Sequence, residues 1–208
     1  MTDALAHCRA DPQVSHVDWK TRGHDRAPGL HEALLAHGFE PDEPESIMIG
    51  TAASLAVDVP LLAGVTLRTV REEADVLAFS ALQGEVFDIP VEPMARALSA
   101  RLAVDPLMEL WAAEADGRMV CGGRLEPVAG TDFAGLWGGA TLAAWRGRGI
   151  YRALTAERAR SALRSGFTLM NSDSSDDSRP ILERSGFLQV STTTPYRLDL
   201  RGRADASA

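Results

Sequence analysis

The chain has 208 residues, 45% of them hydrophobic and 24% charged, with a net charge of −8. This composition supports one large domain, or one domain with an additional lobe. The acidic balance, with no block of like charge, argues against a nucleic-acid binder. The longest apolar run, Leu55 to Leu67, is broken by Asp58 and Pro60 and is too short to span a bilayer. We therefore expect a cytoplasmic protein with no nucleic-acid or membrane partner.

Cysteine and histidine usage argues against both a disulfide framework and a metal site. Cys8 and Cys121 are far apart in the sequence, and no signal peptide precedes them. The five histidines all lie between His7 and His37, and their spacing matches no metal-binding pattern. We expect reduced cysteines and no bound metal.

The first quarter of the chain predicts a small αβ lobe. Its elements are a loose or helical arm to Gln13, a strand at His16–Trp19, a polar loop at Thr21–Arg26, a helix at Pro28–Phe39 and a strand at Ile47–Ile49. Pro28 is placed near the first helical position and Gly38 at the helix end.

The next stretch predicts a strand, two helices and a hairpin. Val65–Val70 has the pattern of a strand, and Thr69 with Glu72 has the spacing of a capping box. The expected inward face of the following helix consists of Val70, Ala74, Leu77, Ala78 and Leu82. A loop at Gly84–Pro90 precedes a second helix that buries Met94, Leu98 and Leu102. Strands at Met108–Glu114 and Met119–Glu126 are joined around Asp116-Gly117, a strong hairpin signal.

A strand, a tight loop and a helix follow in direct succession. Phe133–Leu142 is small and apolar, as in a buried strand, and Arg146-Gly147-Arg148-Gly149 then opens a helix from Ile150 to a stop at Gly166. The expected buried face has apolar residues at positions 150, 153, 154, 156, 159, 162 and 163. The expected outer face carries Arg152, Glu157, Arg158, Arg160 and Arg164.

The start of this helix has the features of an anion site. The first turn of a helix has amides without intrahelical partners and carries partial positive charge. Gly147 and Gly149 permit close approach of a ligand, and Arg146, Arg148 and Arg152 add full charges that pair with phosphate oxygens. A solvated turn is the alternative, but three arginines around one turn favour a diphosphate-bearing ligand.

The last part of the chain predicts a strand parallel to the central one. Phe167–Asn171 follows a helical crossover, which makes it parallel to Phe133–Leu142. A polar turn at Ser172–Ser178 leads to a helix that starts at Pro180. Leu188–Leu200 is expected to form one or two strands interrupted at Pro195, and residues 201–208 a disordered tail. Ligands of open α/β sheets bind beyond such strand ends, which makes Asn171, Ser172 and Asp173 candidates.

Arg146-Gly147-Arg148-Gly149-Ile150-Tyr151 resembles the R/Q-x-x-G-x-G/A loop with which GNAT acetyltransferases hold the pyrophosphate of acetyl-CoA. Leu182-Glu183-Arg184-Ser185-Gly186-Phe187 is similar to the "YEKxGF" helix end of that family. The resemblance covers about residues 64–200 and departs from the family at Tyr151, where Gly or Ala is usual. It implies an α/β GNAT fold, in which a central mixed sheet is flanked by helices.

The resemblance also implies a set of site residues and a reaction. The acetyl-CoA residues implied are Thr141, Leu142, Ala143, Arg146, Gly147, Arg148, Gly149, Ile150, Tyr151 and Arg152. The reaction is direct acetyl transfer to a primary amine of a small molecule or peptide, with backbone amides near Leu142 and Ala143 polarising the thioester carbonyl. Candidates to meet the acceptor are Glu85, Phe87, Asn171 and Ser172.

The acid and base of this reaction do not carry over from the family. Phe133–Leu142 contains no carboxylate, and Leu182 stands where the family often has a catalytic tyrosine. Asp173 at a strand end and Tyr196 near the last strand are our candidates, and proton removal through water is equally open. Glu85 and Phe87 are more simply read as a solvated carboxylate and a packed ring.

The domain organisation that we predict has an extension at 1–60, a GNAT domain at 64–200 and the tail at 201–208. The run Asp25-Arg26-Ala27-Pro28 through Gly38-Phe39 resembles Asp177-Ser178-Arg179-Pro180 through Gly186-Phe187. Either the extension is a degenerate half of a second GNAT unit, or both runs are common Pro-started, Gly-stopped helices.

Three function classes compete at this point. The first is an acetyl-CoA-dependent N-acetyltransferase, for which a homodimer is one expected assembly, and the second is a non-catalytic acyl-CoA-binding regulatory module. The third, a P-loop nucleotide-binding protein, is excluded because G-x-x-x-x-G-K-[ST] is absent and Lys20 is the only lysine.

Overall fold

The computed structural model describes residues 1–12 and 14–200. The predicted tail at 201–208 therefore lies outside the described residues. The helices are α1 (Thr2–Ala10), α2 (Leu30–Ala36), α3 (Ala52–Leu55), α4 (Glu73–Phe87), α5 (Val91–Val104), α6 (Ile150–Arg164) and α7 (Arg179–Glu183). The strands are β1 (His16–Arg22), β2 (Glu40–Pro41), β3 (Glu45–Thr51), β4 (Val65–Val70), β5 (Glu109–Ala115), β6 (Arg118–Pro127), β7 (Phe133–Thr141), β8 (Leu169–Ser174) and β9 (Leu188–Asp199).

The chain divides into two compact units. The larger contains Met48–Ser172 and Pro180–Leu188, and the smaller contains Met1–Ile47, Asp173–Arg179 and residues 189–200. The C-terminal strand β9 is thus grouped from Gln189 onward with the N-terminal elements. The predicted boundary between an N-terminal extension (1–60) and a GNAT domain (64–200) remains a prediction, because compact units of the structure need not coincide with domains of the sequence.

The larger unit is a mixed sheet with helices on both faces. Its strands follow the order β3-β8-β7-β6-β5-β4; β4 to β7 are antiparallel, and β7 is parallel to β8 as predicted. Successive strand residues point to opposite faces. Gly122 of β6 accordingly faces Phe79 and Leu82 of α4, whereas Gly123 faces Arg158 of α6.

The smaller unit contains β1, β2 and most of β9, and it has a core cluster of its own. β1 and β2 both pair antiparallel with β9. The buried core side chains of this unit are Leu5, Leu34, Phe39, Tyr196 and Leu198. Pro195 does not interrupt β9, contrary to prediction. It lies opposite Lys20 in the ladder, and its carbonyl accepts a hydrogen bond from the amide of Asp42 (2.9 Å).

Several predicted boundaries in the smaller unit and after α6 were displaced. β1 continues through Thr21 and Arg22, so the polar loop begins later than predicted. Helix α2 begins at Leu30 after Gly29, not at Pro28. β8 begins at Leu169 and continues to Ser174, so Ser172 and Asp173 lie within the strand and not in the predicted turn, whereas Asn171 lies in a strand as predicted. Ladder pairing prolongs both strands through polar residues that the sequence pattern assigns to loops.

The start and the buried face of α4 were predicted wrongly. Thr69 and Val70 belong to β4, and α4 begins at Glu73 without a side-chain cap. Its buried residues are Val76, Phe79, Ser80, Leu82 and Gln83, whereas Leu77 is 48% exposed. Ser80 is accommodated because its hydroxyl donates to the carbonyl of Val76 (2.8 Å). The buried face of α4 includes the polar residues Ser80 and Gln83, so a search for periodically spaced apolar residues does not find it.

The Asp116-Gly117 hairpin and the second helix are confirmed. Asp116 and Gly117 both have positive φ (50° and 75°), as a two-residue hairpin turn requires. α5 buries Leu98 and half-buries Met94 and Leu102. Among the described residues, no helix is long and apolar enough to cross a membrane.

Candidate functional site

The structure presents the loop between β7 and α6 as an open, positively charged helix start. Gly147 and Gly149 have φ angles of 72° and 77°, and no other atom lies within 4 Å of where a Cβ would stand on either residue. Gly149 is the residue before α6 and provides no side-chain cap. The first-turn amides of α6 therefore lack intrahelical partners and can bind an anion.

Two of the loop arginines have defined positions. The Nε of Arg146 donates to the carbonyl of Thr141 (3.1 Å), which folds this side chain back along the end of β7. The guanidinium carbon of Arg148 lies 5.0 Å from the ring centre of Trp145, a cation–π contact. Arg152 is exposed one turn further on. Trp145 was not predicted as part of this loop, and no periodic pattern indicates it.

β7 extends six residues beyond its pairing with β8 before the chain reaches this loop. Their pairing covers Phe133–Leu169, Ala134–Met170 and Gly135–Asn171, whereas β7 continues to Thr141. The Ser172 hydroxyl also donates to the Leu136 carbonyl (3.1 Å). Asn171 and Ser172 thus mark the place where the two strands part. Beyond it, one edge of β7 is available for backbone hydrogen bonds to a ligand.

On its other side, β7 carries a bulge against β6. Gly122 pairs with Ala140 and Arg124 with Trp137, so β7 has one more residue than β6 between these pairs. The extra length falls at Gly138 and Gly139, and Gly138 has a φ of 56°. Gln83 of α4 donates to the carbonyl of Gly138 (2.8 Å), which satisfies a group that the bulge removes from the ladder.

The predicted outer face of α6 was wrong at Arg158. This side chain is 0% exposed, and Leu163, predicted to be buried, is 37% exposed. Arg158 donates to the carbonyl of Arg124 (3.2 Å) and to the Thr155 hydroxyl (3.0 Å), while its Nε has no partner in the structure. Position 158 follows Tyr151 by two turns, so helical spacing places it on the Tyr151 face despite its charge.

Thr141 and Leu142 close the strand end. The Thr141 hydroxyl and the Cys121 thiol form a 3.1 Å hydrogen bond; burial raises the pKa of Cys121 and outweighs the opposing effect of this bond. The Leu142 amide donates to the carbonyl of Val120 (3.0 Å). Leu142 is therefore not available to polarise a thioester, contrary to prediction. Ala143 begins a short 3₁₀ turn and is exposed, and Ile150 is buried in the core.

Glu85 and Phe87 lie on the last turn of α4, not in a loop. Glu85 forms an exposed ion pair with Arg118 of β6 (2.6 Å), and Phe87 is 47% exposed. The loop between α4 and α5 is shorter than predicted because α4 continues to Phe87. Both residues belong to the larger unit together with the loop, Asn171 and Ser172.

The two proton-transfer candidates belong to the smaller unit. The Asp173 carboxylate accepts from the Lys20 ammonium (2.9 Å), which also donates to Glu45 (3.1 Å). Burial lowers the pKa of Lys20, but the hydrogen bonds to Asp173 and Glu45 together outweigh it and raise the pKa. Tyr196 is buried, and its hydroxyl shares a 2.8 Å hydrogen bond with His31 Nδ1. Both candidates are thus engaged in contacts within that unit.

The described residues contain no group of three or more His, Cys, Asp or Glu side chains that could hold a metal ion. The loop itself brings together backbone amides and guanidinium groups, which are the groups that pair with phosphate oxygens. β7 supplies backbone groups and space, and no carboxylate.

The fold is that of the GNAT acetyltransferases. A GCN5-related N-acetyltransferase from Kribbella flavida has a TM-score of 0.67 and 20% identity over 98% of this chain and 75% of that chain. A GCN5-related N-acetyltransferase from Sphaerobacter thermophilus has a TM-score of 0.62 and 21% identity, and the match covers 94% of this chain and 64% of that chain. A tandem GNAT protein from the clavulanic acid biosynthesis pathway has a TM-score of 0.63 and 16% identity, and the match covers 95% of this chain and 69% of that chain. No protein-family model and no curated protein matches the sequence.

Proposed function

We propose that this protein is an acetyl-CoA-dependent N-acetyltransferase that acts on a primary amine of a small molecule or a peptide. The observation that carries the proposal is the open arginine–glycine loop at the start of α6, which follows a segment of β7 that extends beyond the pairing with β8. The loop suits a diphosphate, and the free edge of β7 suits the amide groups of an extended pantetheine arm.

The residues that would hold the coenzyme are those around the loop. Amides of Gly147 to Arg152 and the guanidinium groups of Arg146, Arg148 and Arg152 would bind the phosphates. Thr141 and Ala143 would contact the acyl end through their backbone. The coenzyme supplies an activated acyl thioester, and the protein positions the amine against it and excludes water.

A second candidate function is a non-catalytic acyl-CoA-binding regulatory or interaction module. It is favoured by two observations: β7 contains no carboxylate, and Leu182, 1% exposed, occupies the place of the tyrosine in the similar helix end. The two candidates share the loop and differ only in turnover.

Two measurements test these proposals together. Acetyl-CoA should raise the unfolding temperature in a concentration-dependent manner, because a ligand that binds only the folded state stabilises it. Release of free CoA should then be followed with a panel of small amines and amine-bearing peptides. Stabilisation with release supports the enzyme, and stabilisation without release for any amine supports the binding module. The absence of stabilisation at millimolar acetyl-CoA would contradict both.

We also propose that the N-terminal part is a degenerate half of a second GNAT unit. Support comes from identical helix ends. Gly38 and Gly186 have φ angles of 86° and 82°, and the amides of Phe39 and Phe187 bond back to Leu34 and Leu182 (both 3.1 Å). Against it, α6 ends in the same way at Gly166-Phe167. The shared helix end alone thus does not prove a repeat. A related protein whose N-terminal part is a complete GNAT unit would support the repeat directly.

The expectations for partners follow from the same proposal. We propose an amine acceptor as the other substrate, a cytoplasmic location, no nucleic-acid or membrane partner, and a homodimer as the assembly. Sedimentation velocity at several protein concentrations would test the assembly, and a single species of monomer mass would contradict it.

A further inference from the structure

Tyr151 is the residue at which the loop departs from the pattern of the GNAT family, and its side chain faces β7. A Cβ built on Gly139 would lie 2.6 Å from Tyr151 Cε2 and 2.9 Å from its hydroxyl oxygen. Gly139 is exposed, and it lies in the part of β7 that extends beyond the pairing with β8. The Tyr151 hydroxyl is therefore held beside the free segment of β7.

The ring of Tyr151 is fixed from behind. It is half-buried and packs against the core of the larger unit. The guanidinium carbon of Arg158 lies 5.8 Å from the ring centre, and Arg158 is itself anchored to the Arg124 carbonyl and the Thr155 hydroxyl. Gly123 makes this possible, because a Cβ there would lie 2.6 Å from Arg158 Nη1. Glycines in both strands thus create the space for these two side chains.

Arg158 also places a positive charge near the ring of Tyr151. The ion pairs found in the described parts of the chain do not include Arg158, although the side chain is fully buried. A buried cation without a carboxylate partner stabilises negative charge that develops in its vicinity. Tyr151 lies between this cation and the exposed backbone of β7.

The proposed reaction requires a group of this kind. As the amine nitrogen bonds to the acyl carbon, the carbon–sulfur bond breaks and the sulfur keeps its electron pair. The sulfur is a better leaving group when a proton donor meets it. Tyr151 is the only tyrosine of the larger unit, which contains the loop, and the chain has only two.

We infer that the hydroxyl of Tyr151 is the proton donor to the coenzyme sulfur, with Arg158 as its positioning residue. This inference rests on the proposed function. In the reaction, the Tyr151 hydroxyl gives its proton to the sulfur as the carbon–sulfur bond breaks. The phenolate then recovers, through solvent, the proton that the amine nitrogen loses, so the protein is unchanged after each cycle.

The test measures binding and needs no acceptor. Affinities of free CoA and of desulfo-CoA, which lacks the thiol, are measured by calorimetry from pH 7 to about pH 9, where a thiol ionises. A hydroxyl that donates to the thiolate favours this charged form. Wild-type protein should therefore bind CoA increasingly better than desulfo-CoA as the pH rises. In Tyr151→Phe, the ratio of CoA affinity to desulfo-CoA affinity at high pH should be about tenfold smaller than in wild type. The affinity for desulfo-CoA should be unchanged.

Further variants separate the alternatives. Tyr196→Phe removes the hydroxyl of the competing candidate, and loss of the preference in this variant but not in Tyr151→Phe would overturn the inference. Arg158→Lys should retain part of the preference and Arg158→Met should lose more. Tyr151→Ala tests whether the ring only obstructs the site: tighter binding of both ligands by Tyr151→Ala, with wild-type behaviour of Tyr151→Phe, would overturn the inference. The same pH dependence in wild type and Tyr151→Phe would also overturn it.

These outcomes can be distinguished from failure of the proposed function. If wild-type protein binds neither CoA nor desulfo-CoA, the proposed function and the inference are both wrong. If both ligands bind and Tyr151→Phe behaves as wild type, only the role of Tyr151 is wrong, and the acetyl-CoA site stands.

Discussion

The beginnings of helices α2 and α6 have the same backbone and different side chains. Gly29 and Gly149 precede them with nearly equal φ angles of 79° and 77°, and neither provides a side-chain cap. α6 has Arg146, Arg148 and Arg152 around its start, whereas Pro28 precedes Gly29 and Glu32 lies in the first turn of α2. A left-handed glycine before a helix thus does not define an anion site by itself. The surrounding charges and the neighbouring strand distinguish the anion site that we propose at the start of α6.

The strand environment strengthens the contrast. Arg146 is bonded to Thr141 at the end of β7, and β7 has a free edge beyond Gly135. α2 is only seven residues long, and its Leu34 belongs to a small apolar core with Tyr196 and Phe39. We therefore propose that the same glycine conformation serves ligand access at the start of α6 and only chain reversal at the start of α2.

The largest effect that we expect from this contrast is on coenzyme affinity. Replacing Arg146 and Arg148 together by Ala should weaken acetyl-CoA binding about 100-fold, because two charge-assisted contacts to phosphate are lost. Arg26→Ala, in the loop before α2, is the matched control and should bind as wild type does. Calorimetric titration measures both. Equal affinity in the double variant and the control would show that the phosphates bind elsewhere.

A smaller effect is expected when the two glycines are replaced by alanine. Gly29→Ala and Gly149→Ala should each lower the free energy of unfolding by roughly 1–2 kcal/mol, because left-handed backbone is unfavourable for alanine, and neither site contains an obstructing atom. Only Gly149→Ala should also weaken acetyl-CoA binding, since its methyl group enters the loop. Urea unfolding and calorimetry give the two numbers. Weaker binding in Gly29→Ala as well would remove the distinction between the helix starts.

The smallest expected effect concerns the first-turn charges. Arg152→Gln should raise the free energy of unfolding by a few tenths of a kcal/mol, because a cation is unfavourable at a helix start, and Glu32→Gln should lower it by a similar amount. Arg152→Gln should nevertheless weaken acetyl-CoA binding. A gain in stability together with a loss of affinity would identify Arg152 as a residue kept for the ligand. A loss of stability in Arg152→Gln would contradict this reading.

Much of the fold follows from local sequence signals. The Asp116-Gly117 turn, the β7–loop–α6 succession and the Gly-Phe helix ends were all predicted, because glycine marks the positions where φ must be positive. The sequence also indicated the parallel pairing of β7 and β8, since a helical crossover joins them. The loop was placed for the same reason, as its arginines and glycines are adjacent in the chain.

Features that depend on contacts distant in sequence were missed. Arg158 was assigned to solvent because it is charged, but it is buried through its bonds to β6 and α6 and through the space at Gly123. Lys20 with Asp173, and His31 with Tyr196, are separated by 153 and 165 residues. The spacing of apolar residues within one segment cannot indicate partners that lie so far away in the sequence.

The sequence alone thus predicted the proposed anion-binding loop, because the charges and the flexible backbone of that loop are consecutive residues. Only the tertiary structure decided which side chains accompany it. The bulge of β7, the burial of Arg158 and the position of Tyr151 over Gly139 all arise when two strands and a helix pack together. Packing can bury a charge where neighbouring glycines leave room and carbonyl groups accept its hydrogen bonds.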